Sequence, residues 1–210
     1  MKTSTSLKKE DKREKILAAA TKVFAQKGYP AGKVSDIARQ ADISYGLVYS
    51  YFKNKDDVLM TLFRERWQIL IRYIEKVALR KDIPPDIKLQ KVGNFLIRSY
   101  EREPELMKVL VLYIHPHSNF YEKNIKSLER AFQLIQRIIK EGQQKGVFNK
   151  KLDLQIAAQG FYGGVWQIIL SWIKNIVPYS PESVRKTYLF VNLFVQGKLG
   201  GQSVLKRGKA

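Results

Sequence analysis

Few side chains in this 210-residue sequence could carry out catalysis. The chain contains no cysteine, which excludes disulfides, thiolate zinc sites and cysteine nucleophiles together. Its two histidines form the run His115-Pro-His117, and the next carboxylate, Glu122, follows five residues later, which is not a metal-ligand spacing. The sequence has no P-loop, no Rossmann glycine pattern and no Gly-x-Ser-x-Gly elbow. We therefore expect that the protein is not an enzyme and that it has no metal site and no cofactor. The His-Pro-His run is expected to break a helix or to line the mouth of a cavity.

The charge of the chain favours a polyanionic partner. It carries 38 Lys and Arg against 19 Asp and Glu, a formal net charge of +19. Nucleic acid, an anionic membrane and a phosphate-bearing small molecule all fit such an excess. With 45% hydrophobic and 11% aromatic residues, the chain can bury a core, which excludes a wholly disordered protein.

One apolar stretch raises the question of a membrane span. Residues 154–173 carry no charge, and Gly160 and Gly164 have the spacing that lets two helices approach closely. A span is one interpretation, and a helix packed against another helix of a protein is the other. Three glutamines spread along the stretch favour the second: Gln155, Gln159 and Gln167. Residues 1–15 lack the apolar core of a secretory signal, which predicts a cytoplasmic protein.

Glycine and proline fall at intervals of helical length, and no hairpin turn separates alternating runs, so the pattern predicts an all-α fold. We predict helices over residues 10–27, 34–41, 45–52, 54–80, 86–101, 104–114, 120–145, 153–175 and 181–199. Three polar residues have the side chains that cap helix starts: Ser44, Asn54 and Ser180. The first dozen and the last ten residues are expected to be solvated tails.

The second and third helices are separated only by Asp42, Ile43 and Ser44. Two short helices with this spacing predict a helix-turn-helix, in which the second helix lies in the major groove of DNA while the first crosses the backbone. An ordinary helical hairpin is the alternative.

Residues 34–59, VSDIARQADISYGLVYSYFKNKDDVL, closely resemble the DNA-binding signature of the TetR family of bacterial transcriptional regulators. Residues 16–20, ILAAA, and 24–29, FAQKGY, extend the match. The resemblance implies a three-helix helix-turn-helix domain over residues 1–54. It also implies a helical effector-binding and dimerisation domain over residues 55–210.

The resemblance assigns candidate DNA contacts. Tyr49, Tyr51 and Lys55 match positions that contact phosphates, and Gly46 matches the point where the recognition helix comes close to DNA. Phenolic hydroxyls and an ammonium are suitable phosphate ligands. Tyr49 has an alternative role as a partly buried core residue.

The base-reading helix departs from the common family pattern. Tyr45, Gly46 and Leu47 stand where Lys-Gly-Thr is frequent, and the helix contains no Arg, Asn or Gln for bidentate base contacts. We hypothesise that Tyr45 and Leu47 read thymine methyls by apolar contact. Additional contacts are expected from the second helix and its neighbour: Lys33, Ser35, Arg39 and Ser44. Asp42 replaces the usual turn glycine, and Asp tolerates the left-handed conformation required there.

A single helix-turn-helix reads only a few base pairs, so we expect a homodimer on a palindromic operator. The resemblance implies that the last two helices form a four-helix bundle with their symmetry mates. The candidate interface residues are Gly160, Gly164, Phe190 and Phe194. The uncharged stretch could instead be core within one subunit.

The resemblance also implies an effector cavity among the middle helices, lined by aromatic residues. The candidates are Phe63, Trp67, Phe95, Tyr100, Tyr113, Phe132, Phe161, Tyr162 and Trp166, and each could instead be plain core. Residues 160–172 loosely resemble members of the family that respond to fatty acyl-CoA.

The sequence therefore predicts a ligand-responsive repressor that is released from DNA by a small apolar or acyl-CoA-like effector. A lipophilic, drug-like effector is one alternative. A nonspecific architectural DNA-binding protein, favoured by the net charge, is another.

Overall fold

The computed structural model describes residues 4–113 and 118–195, and its regular structure there is α-helical throughout. This confirms the predicted all-α fold. The helices are α1 (Ser4–Lys27), α2 (Val34–Gln40), α3 (Tyr45–Tyr49), α4 (Lys55–Ala78), α5 (Pro85–Arg102), α6 (Pro104–Tyr113), α7 (Ser118–Gln144), α8 (Leu154–Ile173) and α9 (Pro181–Val195).

Side chains at the predicted caps start three of these helices. The Ser44 hydroxyl accepts a hydrogen bond from the Leu47 amide at 3.3 Å. The Asn54 carbonyl oxygen Oδ1 accepts one from Asp57 at 2.9 Å. Ser180 Oγ accepts one from the Ser183 amide at 3.1 Å. Each bond satisfies an amide that has no partner inside its own helix, so all three predicted caps are confirmed.

The predicted N-terminal tail is partly wrong, because α1 begins at Ser4 and not near residue 10. Residues 9–12 are helical and exposed. Hydrophobic periodicity marks only helices that bury a face, so a solvated first turn leaves no such signal. Helix α3 ends at Tyr49, three residues before the predicted end. The predicted positions 196–199, the last ten residues, His115 and His117 lie outside the described residues.

The chain divides into two compact units. The first contains α1, α2, α3, α6, residues 55–68 of α4 and residues 118–124 of α7. Within it, α6 packs against α1, and Lys108 Nζ donates to the Ala25 carbonyl at 3.3 Å. Gly28 ends α1 with a φ of +80°, and a Cβ there would lie 3.1 Å from the Tyr113 hydroxyl. Gly28 therefore suits both its backbone conformation and this close contact.

The second unit contains the rest of α4, α5, α8, α9 and residues 125–144 of α7. Helix α5 packs against both α8 and α9. The three helices meet at Gly93, where an added Cβ would lie 2.8 Å from Val191 Cγ1 and 3.3 Å from Phe161 Cζ. The close approach of α5 to its neighbours thus depends on a residue without a side chain.

A buried charge joins three helices of the second unit. The side chain of Lys88 on α5 is only 1% exposed. Its ammonium donates to the Ala78 carbonyl at the end of α4, at 3.1 Å, and to Glu141 Oε2 on α7, at 2.6 Å. Lys145 donates to the other oxygen of Glu141 at 2.8 Å. A buried charge needs such partners to offset the loss of hydration.

Across the described residues, the helices are either too short or too polar to cross a membrane. Helix α8, for which a span was one interpretation, is among those tested.

Candidate DNA-binding interface

A tight turn sets the angle between α2 and α3. Asp42 adopts a φ of +52°, the left-handed conformation predicted for it. The amide of Ile43 donates to the Ala38 carbonyl at 3.1 Å, which closes the end of α2. Val48 and Phe52 are 1% and 4% exposed, so α3 and the residues that follow it are anchored in the core. The opposite face of α3 is left to solvent.

That outer face carries Tyr45, Gly46 and Tyr49. Tyr45 is 53% exposed and Tyr49 44%, so the structure does not place Tyr49 in the core. Their hydroxyl groups lie 2.9 Å apart, and their rings meet edge to face at 5.0 Å. The hydrogen bond to Tyr45 raises the pKa of Tyr49 above its ordinary value. A Cβ on Gly46 would meet no atom within 4 Å, so the space above this residue is open.

The other predicted contacts surround this face. Lys33, Ser35 and Arg39 are exposed on and beside α2, and Ser44 is exposed at the start of α3. Leu47 and Tyr51 are half-buried. The structure therefore leaves the predicted set accessible in one unit, apart from the ammonium of Lys55.

The carboxylate of Asp36 fixes the start of α2. Its oxygens accept from Lys27 Nζ at 2.7 Å, from the Lys33 amide at 3.2 Å and from Arg39 Nη2 at 2.9 Å. The hydrogen bond from Lys27, followed by that from the Lys33 amide, lowers the pKa of Asp36. An ionised Asp36 thus holds α1 and α2 together and orients Arg39.

Lys55 is placed differently from a free phosphate ligand. Its ammonium donates to the carbonyl oxygens of Tyr29 at 3.0 Å, Pro30 at 3.1 Å and Gly32 at 3.4 Å. It also lies 4.6 Å from the centre of the Tyr29 ring.

Helix α1 adjoins this surface, which the sequence pattern did not indicate. An open cavity of about 310 Å³ is lined by Lys9, Glu10, Arg13 and Tyr51. Arg13 pairs with Glu65 at 2.5 Å, and Lys9 lines this cavity together with Tyr51. The spacing of Lys9 and Arg13, one helical turn apart, was the available signal, but it was hidden by the assumption of an N-terminal tail.

The aromatic residues predicted for an effector cavity fall in both units. In the first, Phe63 stacks on Trp67 at 5.4 Å. Tyr113 lies 6.0 Å from Tyr29, beside the end of α1.

In the second unit, Tyr162 joins Phe132 at 5.5 Å and Trp166 at 5.7 Å, so three predicted residues form one cluster. Phe95 stacks instead on Tyr73 at 4.2 Å. Phe161 lies against Gly93. Tyr100 contacts two rings outside the predicted cavity set, Trp172 at 5.5 Å and Tyr179 at 5.1 Å.

Helix α8 has two different faces. One is buried among its neighbours and includes Phe161, Val165 and Ile169. The other exposes Gly160, and neither Gly160 nor Gly164 would bring an added Cβ within 4 Å of another atom. Phe190 on α9 is 37% exposed, and the side chain of Phe194 lies outside the described residues. Core packing and an open glycine face thus coexist on α8.

In the part of the chain that the structure describes, no group of three His, Asp or Glu side chains could hold a metal ion.

A capped helix-turn-helix with a solvent-facing second helix, followed in the chain by a helical region, defines a DNA-binding transcriptional regulator. Residues 16–61 match the family described as "Bacterial regulatory proteins, tetR family", and residues 63–193 match "YsiA-like protein, C-terminal region". The chain belongs to the TetR family, which confirms the resemblance. Its relatives are transcriptional regulators and not enzymes, as predicted.

The similarity extends over nearly the whole chain. The fatty acid metabolism regulator protein of Bacillus subtilis (strain 168) is 28% identical over 90% of this chain and 96% of its own. The fatty acid degradation regulator FadR of Bacillus halodurans has a TM-score of 0.79 at 27% identity, with 90% and 96% covered. FadR of Bacillus subtilis, solved in complex with stearoyl-CoA, has a TM-score of 0.76 at 28% identity, with 88% and 98% covered.

Proposed function

We propose that this protein is a cytoplasmic repressor that binds a palindromic operator as a homodimer and is released by an acyl-CoA-like effector. The observation that carries the proposal is the outer face of α3, where Tyr45, Gly46 and Tyr49 face solvent on a helix fixed from behind by Val48. We assign DNA binding to residues 1–54, and effector binding and dimerisation to residues 55–210.

Two further observations support the partners in this proposal. The open glycine face of α8 and the exposed ring of Phe190 suit a second copy of the chain, with Gly160 and Gly164 allowing close backbone approach. A relative that resembles this chain over 88% of its length was solved with stearoyl-CoA, which supports an anion with a long apolar tail as effector. The effector would act by preferring a conformer whose two recognition helices no longer match successive major grooves.

The proposal is tested by measuring binding of the full chain to a palindrome selected from random DNA, with unselected DNA of equal length as control. A specific repressor is expected to prefer the palindrome by about 1,000-fold or more at both of two salt concentrations. Stearoyl-CoA is expected to release it, whereas coenzyme A alone and stearate alone are not. Equal affinity for both DNAs would indicate the architectural alternative. Release by an uncharged lipophilic compound, but not by stearoyl-CoA, would indicate the drug-like one.

The thymine-reading hypothesis predicts an effect of single methyl groups in that palindrome. Replacing one contacted thymine by uracil is expected to weaken binding about fourfold, because burial of one methyl contributes about 0.8 kcal/mol. In Tyr45→Ala or Leu47→Ala protein, replacing the thymine that the deleted side chain contacts by uracil should no longer weaken binding. Uracil placed outside the palindrome is the control. If no single uracil weakens binding of the unmodified protein, the hypothesis is wrong.

A further inference from the structure

The ammonium of Lys55 already has a full set of partners inside the protein. A lysine ammonium has three N–H donors, and three backbone carbonyl oxygens lie within 3.4 Å of Lys55 Nζ. The ring of Tyr29 covers it from one side, at 4.6 Å. A DNA phosphate at Lys55 would have to compete with all of these partners.

The three acceptors belong to one short segment, residues 29–32, which connects α1 to α2. This turn leads from Gly28, with its left-handed backbone, to Lys33, the residue immediately before α2. The carbonyl groups of such a turn need hydrogen-bond partners, and Lys55 supplies a donor for three of them.

Asp56, the residue after Lys55, also binds the turn between α1 and α2. The Tyr29 hydroxyl donates to the carboxylate of Asp56, so the first turn of α4 holds Tyr29 by its side chain and by its backbone. A lysine at the first position of a helix faces the positive end of the helix dipole. The carbonyl cluster offsets that repulsion, which explains why the ammonium turns back toward the protein.

We infer that Lys55 is a positioning residue, which holds the α1–α2 turn and hence the start of α2 against α4, and that it is not a phosphate ligand. The inference rests on the proposed DNA-binding function. It changes the role that the family resemblance gave to this residue. Lys55 acts on DNA affinity only by keeping α2 and α3 in place.

The salt dependence of operator binding distinguishes the two roles. Each neutralised phosphate contributes about −0.9 to the slope of log K against log salt concentration. For Lys55→Met we expect the same slope as for the unmodified protein, with a binding constant about tenfold lower at every salt concentration. We also expect a melting temperature lower by about 3 °C or more. Lys33→Met is the matched comparison, because Lys33 is exposed and belongs to the proposed contact set.

Lys33→Met is expected to flatten the slope by about one and to leave the melting temperature unchanged. If Lys55→Met flattens the slope by about one, or leaves both affinity and melting temperature unchanged, the inference is overturned. A wild-type chain without any preference for the palindrome would contradict the proposed function instead, whatever the Lys55 variant does.

A second measurement needs no variant and therefore does not depend on its folding. Lysine acetylation of the full chain, read by mass spectrometry, is expected to be slow at Lys55 in the free protein and no slower with operator bound. At Lys33 it should be fast in the free protein and suppressed by the operator. Protection of Lys55 that appears only with DNA would overturn the inference.

Discussion

Replacing Gly46 with leucine is expected to weaken operator binding by about 100-fold or more, while leaving the folded protein intact. The space above Gly46 is open in the free protein, so the new side chain meets no protein atom. On DNA the same space is expected to be occupied, and a leucine would hold the recognition helix away from the groove. A 100-fold loss corresponds to about 2.8 kcal/mol.

The stability of the Gly46→Leu protein is expected to rise, although its affinity for the operator falls. Glycine is a poor helix former, so the substitution should stabilise α3 by up to about 1 kcal/mol. Denaturant unfolding and operator binding, measured on the same preparation, test the two effects together. Ala18→Leu is the matched control, because it adds the same side chain to an exposed position of α1 outside the proposed contact set. Normal operator affinity of Gly46→Leu would show that α3 does not enter the groove as proposed.

Replacing Glu141 with alanine is expected to destabilise the protein by about 3–5 kcal/mol, because it leaves the ammonium of Lys88 buried without its carboxylate. The Ala78 carbonyl, at 3.1 Å, would still accept a hydrogen bond from this ammonium but carries no charge. The free energy of unfolding at one fixed protein concentration is the quantity to measure, since the proposed dimerisation would add to stability. Glu182→Ala is the matched control, because it removes an exposed pair with Lys186 and is expected to leave the free energy of unfolding nearly unchanged.

A double substitution separates the buried charge from the packing of this region. In Glu141→Ala/Lys88→Met, the ammonium is absent, so at least half of the lost stability should return. If the double variant is no more stable than Glu141→Ala, the buried charge is not the cause of the loss.

The stability of the protein is expected to depend on pH through the carboxylate of Glu141. Burial by itself raises the pKa of Glu141, but hydrogen bonds from Lys145 and Lys88 outweigh it, and the net pKa is below the ordinary value of 4.5. A lowered pKa in the folded state means that the pair stabilises fully above pH 4.5 and loses this effect as the pH falls through the folded pKa. The unmodified protein should therefore lose stability more steeply in this acidic range than the double variant does.

The helices could be located from the sequence because residues at or near their ends determine where they begin and stop. Pro104 and Pro181 stand at the first residues of α6 and α9, where a missing amide does no harm. Ser44 and Asn54 cap their helices through their own side chains. These signals lie within four residues of the feature they predict, so one sequence is enough to see them.

The partners of two lysines could not be predicted in the same way. Lys88 is buried against Glu141, 53 residues away in the chain, and a lysine is ordinarily read as a solvated residue. The partners of Lys55 are backbone carbonyl groups, which have no sequence signature. The family signature named Lys55 as important, but only the geometry shows what its ammonium touches.

The hydrogen bond between Tyr45 and Tyr49 has a consequence for the affinity of the proposed operator contact. Each ring restrains the other before DNA arrives, so less rotational freedom is left to lose in the complex. Immobilising a free side chain at an interface costs about 0.5–1.5 kcal/mol of conformational entropy. A recognition surface with few hydrogen-bonding residues can thus gain affinity from rigidity that was already established during folding.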